Sequence, residues 1–153
     1  MAYDSRSSHT SSRSTQPPSR PAQTFTHLQF KPLKATLFNE MAQQSAQAVA
    51  LSDNNRNKST QLRRFYDELC LWHDKVLQQA DLQKQAEKFE ECLPFIRMIN
   101  AKAAYAEGRK LVDPTFVNLL SHTLSEVNSV ETLKICKLFW EAFMGFYKQE
   151  RPN

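Results

Sequence analysis

The chain has 153 residues, 20 of them Lys or Arg and 16 Asp or Glu, with 41% hydrophobic residues, which suits one domain with a real core and not two. Its only two glycines are Gly108 and Gly145. Gly-rich phosphate loops and tight hairpins need positive φ, so a P-loop enzyme, a dinucleotide fold and a β-sandwich are excluded. No run of about 18 apolar residues occurs, which argues against a transmembrane helix.

Charge separates the chain into two parts. Residues 1–35 carry Arg6, Arg13, Arg20, Lys31 and Lys34 against Asp4 alone, are rich in Ser and Pro, and have almost no aliphatic side chain before Leu28. A segment so poor in apolar surface does not offset its ordering entropy, so a disordered tail is expected there. Residues 36–150 are balanced in charge, so any anion-binding face in this part must come from sorting charges and not from an excess of them.

The apolar spacing from Thr36 onward is helical. Leu37, Phe38, Met41, Ala48 and Val49 recur at helical intervals, and the polar run from Ser52 to Lys58 reads as a connection. Ser59 or Thr60 is placed to cap a second helix whose stripe is Leu62, Phe65, Tyr66, Leu69, Trp72 and Val76. Asp81 is placed to cap a third helix, which Pro94 is expected to kink or restart and which stops near Gly108. Asp113-Pro114 signals a fourth helix start, and Asn128 with Glu131 has the spacing of a reciprocal cap opening the last helix. With no sustained period-two alternation, the fold expected is all-α: a single compact bundle of five or six helices after the tail.

The last helix is apolar almost all round, with a narrow polar stripe of Lys134, Lys137, Glu141, Gly145 and Lys148. Such a helix must be enclosed, either at the centre of the bundle or against a neighbouring subunit. Trp140, Phe143 and Phe146 are the residues expected at a subunit interface.

Chemistry for catalysis is absent from the pattern. Cys70, Cys92 and Cys136 are widely spaced in apolar runs and read as reduced core thiols of a cytoplasmic protein. Cys70 and His73 share a helix face, but no second ligand pair follows, and nothing marks an oxyanion hole. The reading is therefore a non-enzyme without metal or cofactor. What remains is a set of basic residues: Lys58, Arg63 and Arg64, then Arg97, Lys102, Arg109 and Lys110, then Lys148. Lys102 and Arg109 are seven apart, stacked on one helix face with Tyr105 and Gly108 between them. Their planar or point charges suit phosphate, and nothing suggests base-edge reading, so such a face would grip backbone.

Three segments together resemble a known family. They are S-T-Q-L-R-R-F-Y-D-E from Ser59, L-P-F-I-R-M-I-N-A-K-A-A-Y-A-E-G-R from Leu93, and F-W-E-A-F-M-G-F-Y-K from Phe139. Their order and spacing, from Thr36 to Tyr147, are similar to the small subunit of the type III-A (Csm) CRISPR interference complex. The resemblance implies a non-catalytic helical subunit, stacked in copies along the inner filament beside other subunits and contacting the backbone of guide RNA and target RNA. It implies no membrane and no small-molecule substrate. Carried over by position, Lys58, Arg63, Arg64, Lys102, Arg109 and Lys148 match basic motif positions; Arg97 is added from spacing alone. The alternative is a protein-only helical adaptor or oligomerisation module, with these cations in surface ion pairs to carboxylates such as Asp67, Glu107 or Glu141.

Overall fold

The computed structural model describes residues 21–152, and among them it is all-helical, without a strand. A π-helical turn, Leu37–Met41, runs into α1 (Ala42–Ser52). Then follow α2 (Ser59–Leu77), α3 (Leu82–Gly108), α4 (Pro114–Ser125) and α5 (Val130–Glu150). This is the expected all-α bundle.

Helix α5 lies at the centre, packed against the π-turn, α1, α2 and α3. Its aromatic residues form a continuous spine: Phe139 to Trp140 at 5.8 Å between ring centroids, Trp140 to Phe143 at 4.8 Å, and Phe143 to Tyr147 at 5.4 Å. The Trp140 indole N–H donates to Thr123 Oγ1 on α4 at 3.0 Å, which satisfies the one polar atom that the ring takes into the core. The enclosure that the sequence demanded is therefore supplied within the chain. Trp140 (3% exposed) and Phe143 (0%) belong to the core, so the expectation that they face another subunit is corrected. Phe146 is only half-buried.

The folded unit begins before residue 36. Phe25, Leu28 and Phe30 are buried in the core, Phe30 lies 6.4 Å from Phe139, and the Leu28 carbonyl meets His122 Nε2 at 2.6 Å. These few side chains insert individually between helices, and a composition average over residues 1–35 dilutes them. The part of the expected tail from 1 to 20 lies outside the described residues.

Local signals fare unevenly. Asp81 and Asp113 cap α3 and α4, accepting from the N–H groups of Lys84 at 2.8 Å and Phe116 at 3.0 Å. The box opening α5 is Ser129 with Thr132, one residue later than Asn128 with Glu131. The N-cap of α2 is Lys58, with no side-chain bond, because Ser59 donates instead to the Arg151 carbonyl at 3.2 Å. Pro94 does not restart α3 as a separate element: 27 residues form one helix. Pro94 and Glu90 both lie on the exposed side, where water can take the carbonyl that proline leaves unpaired.

Left-handed backbone falls to Asn57 (φ 60°) and Lys110 (φ 62°), and to neither glycine. Asn57 is a buried hub. Its amide donates to Asp113 Oδ1 at 2.8 Å, its Oδ1 accepts from Asp113 N–H at 2.9 Å, and its own carbonyl accepts from the Tyr147 hydroxyl. One residue thereby ties the α1–α2 connection to the start of α4 and the end of α5.

Candidate nucleic-acid interface

Two contacts set the register of α2 against α3. Lys102 of α3 pairs with Glu68 of α2, and Phe95 stacks on Trp72 at 5.2 Å. The two helices are thus antiparallel, which sets the first half of α2 beside the last turns of α3. Arg64, one turn before Glu68, shares that flank, and Arg109, two turns beyond Lys102, lies alongside it.

The other flank of α2 meets α5. A groove of about 540 Å³ is lined by Ser59, Thr60, Arg63 and Tyr66 from α2 and by Glu141, Met144, Gly145 and Lys148 from α5. Gly145 sends no side chain into it, and a Cβ there would meet no atom within 4 Å. A neighbouring hollow of about 530 Å³ is lined by Lys58, Thr60, Glu150, Arg151 and Pro152. Arg63 and Lys148 therefore meet on one groove at the start of α2, Lys58 lines the adjoining hollow, and Arg64, Lys102 and Arg109 follow the α2–α3 seam beside them.

Electrostatics single out this end of α2. The helix starts with no acidic residue in its first turn and no side-chain cap, and Lys58 stands at its positive end as the N-cap, with Arg63 and Arg64 one turn further on. A cation at the cap opposes the helix dipole, a local conflict of the kind that an incoming anion relieves. Among the described residues, Lys58, Arg64, Arg109 and Lys148 form no ion pair with a carboxylate. Lys148 donates to the Pro152 carbonyl, and the Arg109 guanidinium lies 5.8 Å from the Tyr105 ring. Arg63 reaches Asp67 at 3.7 Å, both well exposed.

Arg97 is a correction. It lies on the opposite flank of α3 and donates to the Val127 carbonyl at 3.2 Å, just past the end of α4. It ties α3 to the end of α4 and is separated from the other six cations. The residue that sequence reading missed is Arg151. Its guanidinium donates to the carbonyls of Asp53 at 3.0 Å, Asn54 at 3.1 Å and Arg56 at 2.8 Å, and so fixes the loop that delivers Lys58. No local pattern announces a contact made across more than ninety residues.

The thiols are unsuited to nucleophilic work. Burial pushes the Cys136 thiol up, and Cys70 is raised chiefly by burial beside Tyr66. His73 Nδ1 turns to Asp74 at 2.9 Å, away from a Cys70 dyad. Among the described residues no group of His, Cys, Asp and Glu is arranged to hold a metal ion.

A family model described as Csm2 Type III-A matches residues 33–153, which takes in all five helices. The chain belongs to the Csm2 type III-A family. It is therefore a small subunit of the type III-A CRISPR complex and associates with the other subunits of that complex. Members of the Csm2 family are structural small subunits. No curated protein and no solved structure matches the chain. The buried residues Phe25, Leu28 and Phe30 precede the span that matches the Csm2 family. No helix among the described residues is long and apolar enough to cross a membrane.

Proposed function

We propose that this small subunit is non-catalytic, stacks in copies along the inner filament of the complex, and grips the backbone of guide and target RNA without reading sequence. The observation that carries the reading is that Arg63 and Lys148 line the α2–α5 groove and Lys58 the adjoining hollow, at a helix start left without cap or acid. Backbone N–H groups at that start, the Ser59 and Thr60 hydroxyls, and two or three cations form a set that suits phosphate and sugar oxygens. Pairing between guide and target supplies the sequence specificity, so a subunit holding backbone has nothing to gain from base contacts.

Salt titration of RNA binding by the assembled complex tests this. Two to three phosphates per subunit contribute a slope of roughly −2 in log affinity against log salt, at about 0.7 per phosphate on a single strand. Lys148→Ala should lower the slope by about 0.7 per subunit and weaken all RNA sequences alike. A slope unchanged by Lys58→Ala and Lys148→Ala together leaves a protein-only adaptor as the correct description.

A further inference from the structure

Outside that groove, the outer seam between α2 and α3 carries the most exposed apolar surface on neighbouring helices. Leu71 is 50% exposed, Phe95 50%, Met98 52% and Tyr105 68%. Phe95, Met98 and Tyr105, with Lys102 and Arg109 between and after them, recur at steps of three and four, the spacing of a helix-packing stripe. Leu71 lies one turn from both Glu68 and Lys75, which puts it on the outer flank of α2 from which Glu68 reaches Lys102 and Lys75 covers Trp72.

The charges along the seam have one sign to spare. The carboxylates nearest the Phe95–Arg109 stripe are already paired, Glu68 with Lys102 and Glu91 with Lys88 at 3.2 Å. Arg64, Lys75 and Arg109 have no carboxylate partner among the described residues; Lys75 and Arg109 instead lie over the Trp72 and Tyr105 rings at 4.8 and 5.8 Å. The Trp72 indole N–H is shielded from solvent and has no acceptor.

The geometry points to a docking groove for an acidic amphipathic helix from a protein other than this one, laid along the α2–α3 seam. A second copy in the same groove would bring Arg64, Lys75 and Arg109 against themselves, which like-charge repulsion opposes. RNA fits it poorly: Leu71 and Met98 offer no flat ring, Trp72 takes one face of Phe95, and the Arg109 guanidinium lies over Tyr105, whereas bases seek open aromatic faces. An apolar helix face covers aliphatic side chains readily, and its acidic flanks find the three spare cations. The stripe from Phe95 to Arg109 is about 21 Å long at 1.5 Å per residue, so it holds about four turns of a partner helix. The inference rests on the chain's membership of a multisubunit complex, but on a different face from the RNA groove.

The test places a photoreactive phenylalanine analogue at Met98 in the full chain, within the assembled complex, and maps the adduct after irradiation. The expected adduct is a segment of another subunit with apolar residues three and four apart and an excess of Asp and Glu. An adduct with RNA, with a second copy or with a basic segment overturns the inference, as does no adduct from either Met98 or, in a second preparation, Leu71. Arg64→Glu with Arg109→Glu should lower retention of this subunit in the complex at least tenfold, while Lys58→Ala with Lys148→Ala leaves the adduct intact. A salt slope unchanged by Lys58→Ala with Lys148→Ala, with the adduct obtained, refutes only the RNA reading; a slope lowered by that pair, with no adduct from Met98 or Leu71, refutes only the docking groove.

Discussion

Replacing Asn57 by Ala removes the side chain that closes the bundle at the start of α2. Two good hydrogen bonds to Asp113 are lost, at 2.8 and 2.9 Å, one of them to a carboxylate. Such bonds contribute about 1–3 kcal/mol each, more when a buried partner is left unsatisfied, and Asp113 is only 4% exposed. Alanine also tolerates φ near 60° less well than asparagine, adding a cost of up to about 1 kcal/mol. Together the loss is about 3–5 kcal/mol, a large share of the roughly 5–15 kcal/mol that holds a domain of this size. Urea unfolding followed by helical circular dichroism should show a lower midpoint with an unchanged slope, and the melting temperature should fall by about 6–20 °C. Asn57→Gly restores the backbone freedom but not the bonds, so it should regain only the conformational part. A change under about 1 kcal/mol for Asn57→Ala would refute the hub, as would equal stability of the Ala and Gly variants together with no coupling between positions 57 and 113 in a double-mutant cycle.

Three further outcomes follow from the packing. Phe30→Ala should destabilise the fold by about 3–5 kcal/mol, measured by the same unfolding curves, because a fully buried ring is lost from beside Phe139. A loss near zero would mean that residues 25–30 contribute nothing to the core. Gly145→Ala should raise stability by about 0.5–1 kcal/mol, since a methyl there meets no atom within 4 Å and the unfolded chain loses freedom; a lower melting temperature refutes the open groove floor. Stability should also fall as pH rises above about 9. Burial raises Cys136 from its ordinary 9.0, and Tyr147 from 10.0 up to about 12, so the folded chain holds both protons more tightly than the unfolded one. Their contribution is complete below the unfolded values and declines as pH rises through them. Cys136→Ala with Tyr147→Phe should make that alkaline limb shallower in urea unfolding curves, with Cys70 and Tyr66, also raised by burial, keeping the rest.

Helix existence was legible because it rests on spacing: the stripe on α2 turns Leu62, Leu69 and Val76 into the core, although Leu82 and Phe95, at helical spacing on α3, stay exposed. Two caps, Asp81 and Asp113, were legible for the same reason, being local chemistry. The failures share a long-range cause. Nothing near Trp140 or Phe143 says that the π-turn, α1 and α2 will enclose them, and nothing near Phe30 says that a cavity beside Phe139 awaits it. Of the seven cations, six came from motif positions and lie along the flanks of α2. Arg97, chosen by spacing, turned to the end of α4, because the exposed positions of a long helix look alike until a neighbour takes one side. Arg151 was invisible in the sequence because its work is done on carbonyls, which no sequence pattern displays.

The ion pairs of Arg63 with Asp67 and Lys102 with Glu68 bear on how affinity responds to its surroundings. A free cation arriving at a polyanion frees small ions into bulk water, and their gain in translational entropy is what makes binding sensitive to salt. The ions set free are cations condensed on the polyanion, and they leave whether or not the arriving side chain was paired beforehand; a carboxylate partner on the same protein instead imposes a fixed cost, because its own pairing must be given up. Polyanion contacts made through Arg63 or Lys102 would therefore keep their response to ionic strength and lose absolute strength, so tallying basic side chains overstates how tightly the surface holds, not how steeply it lets go in concentrated salt.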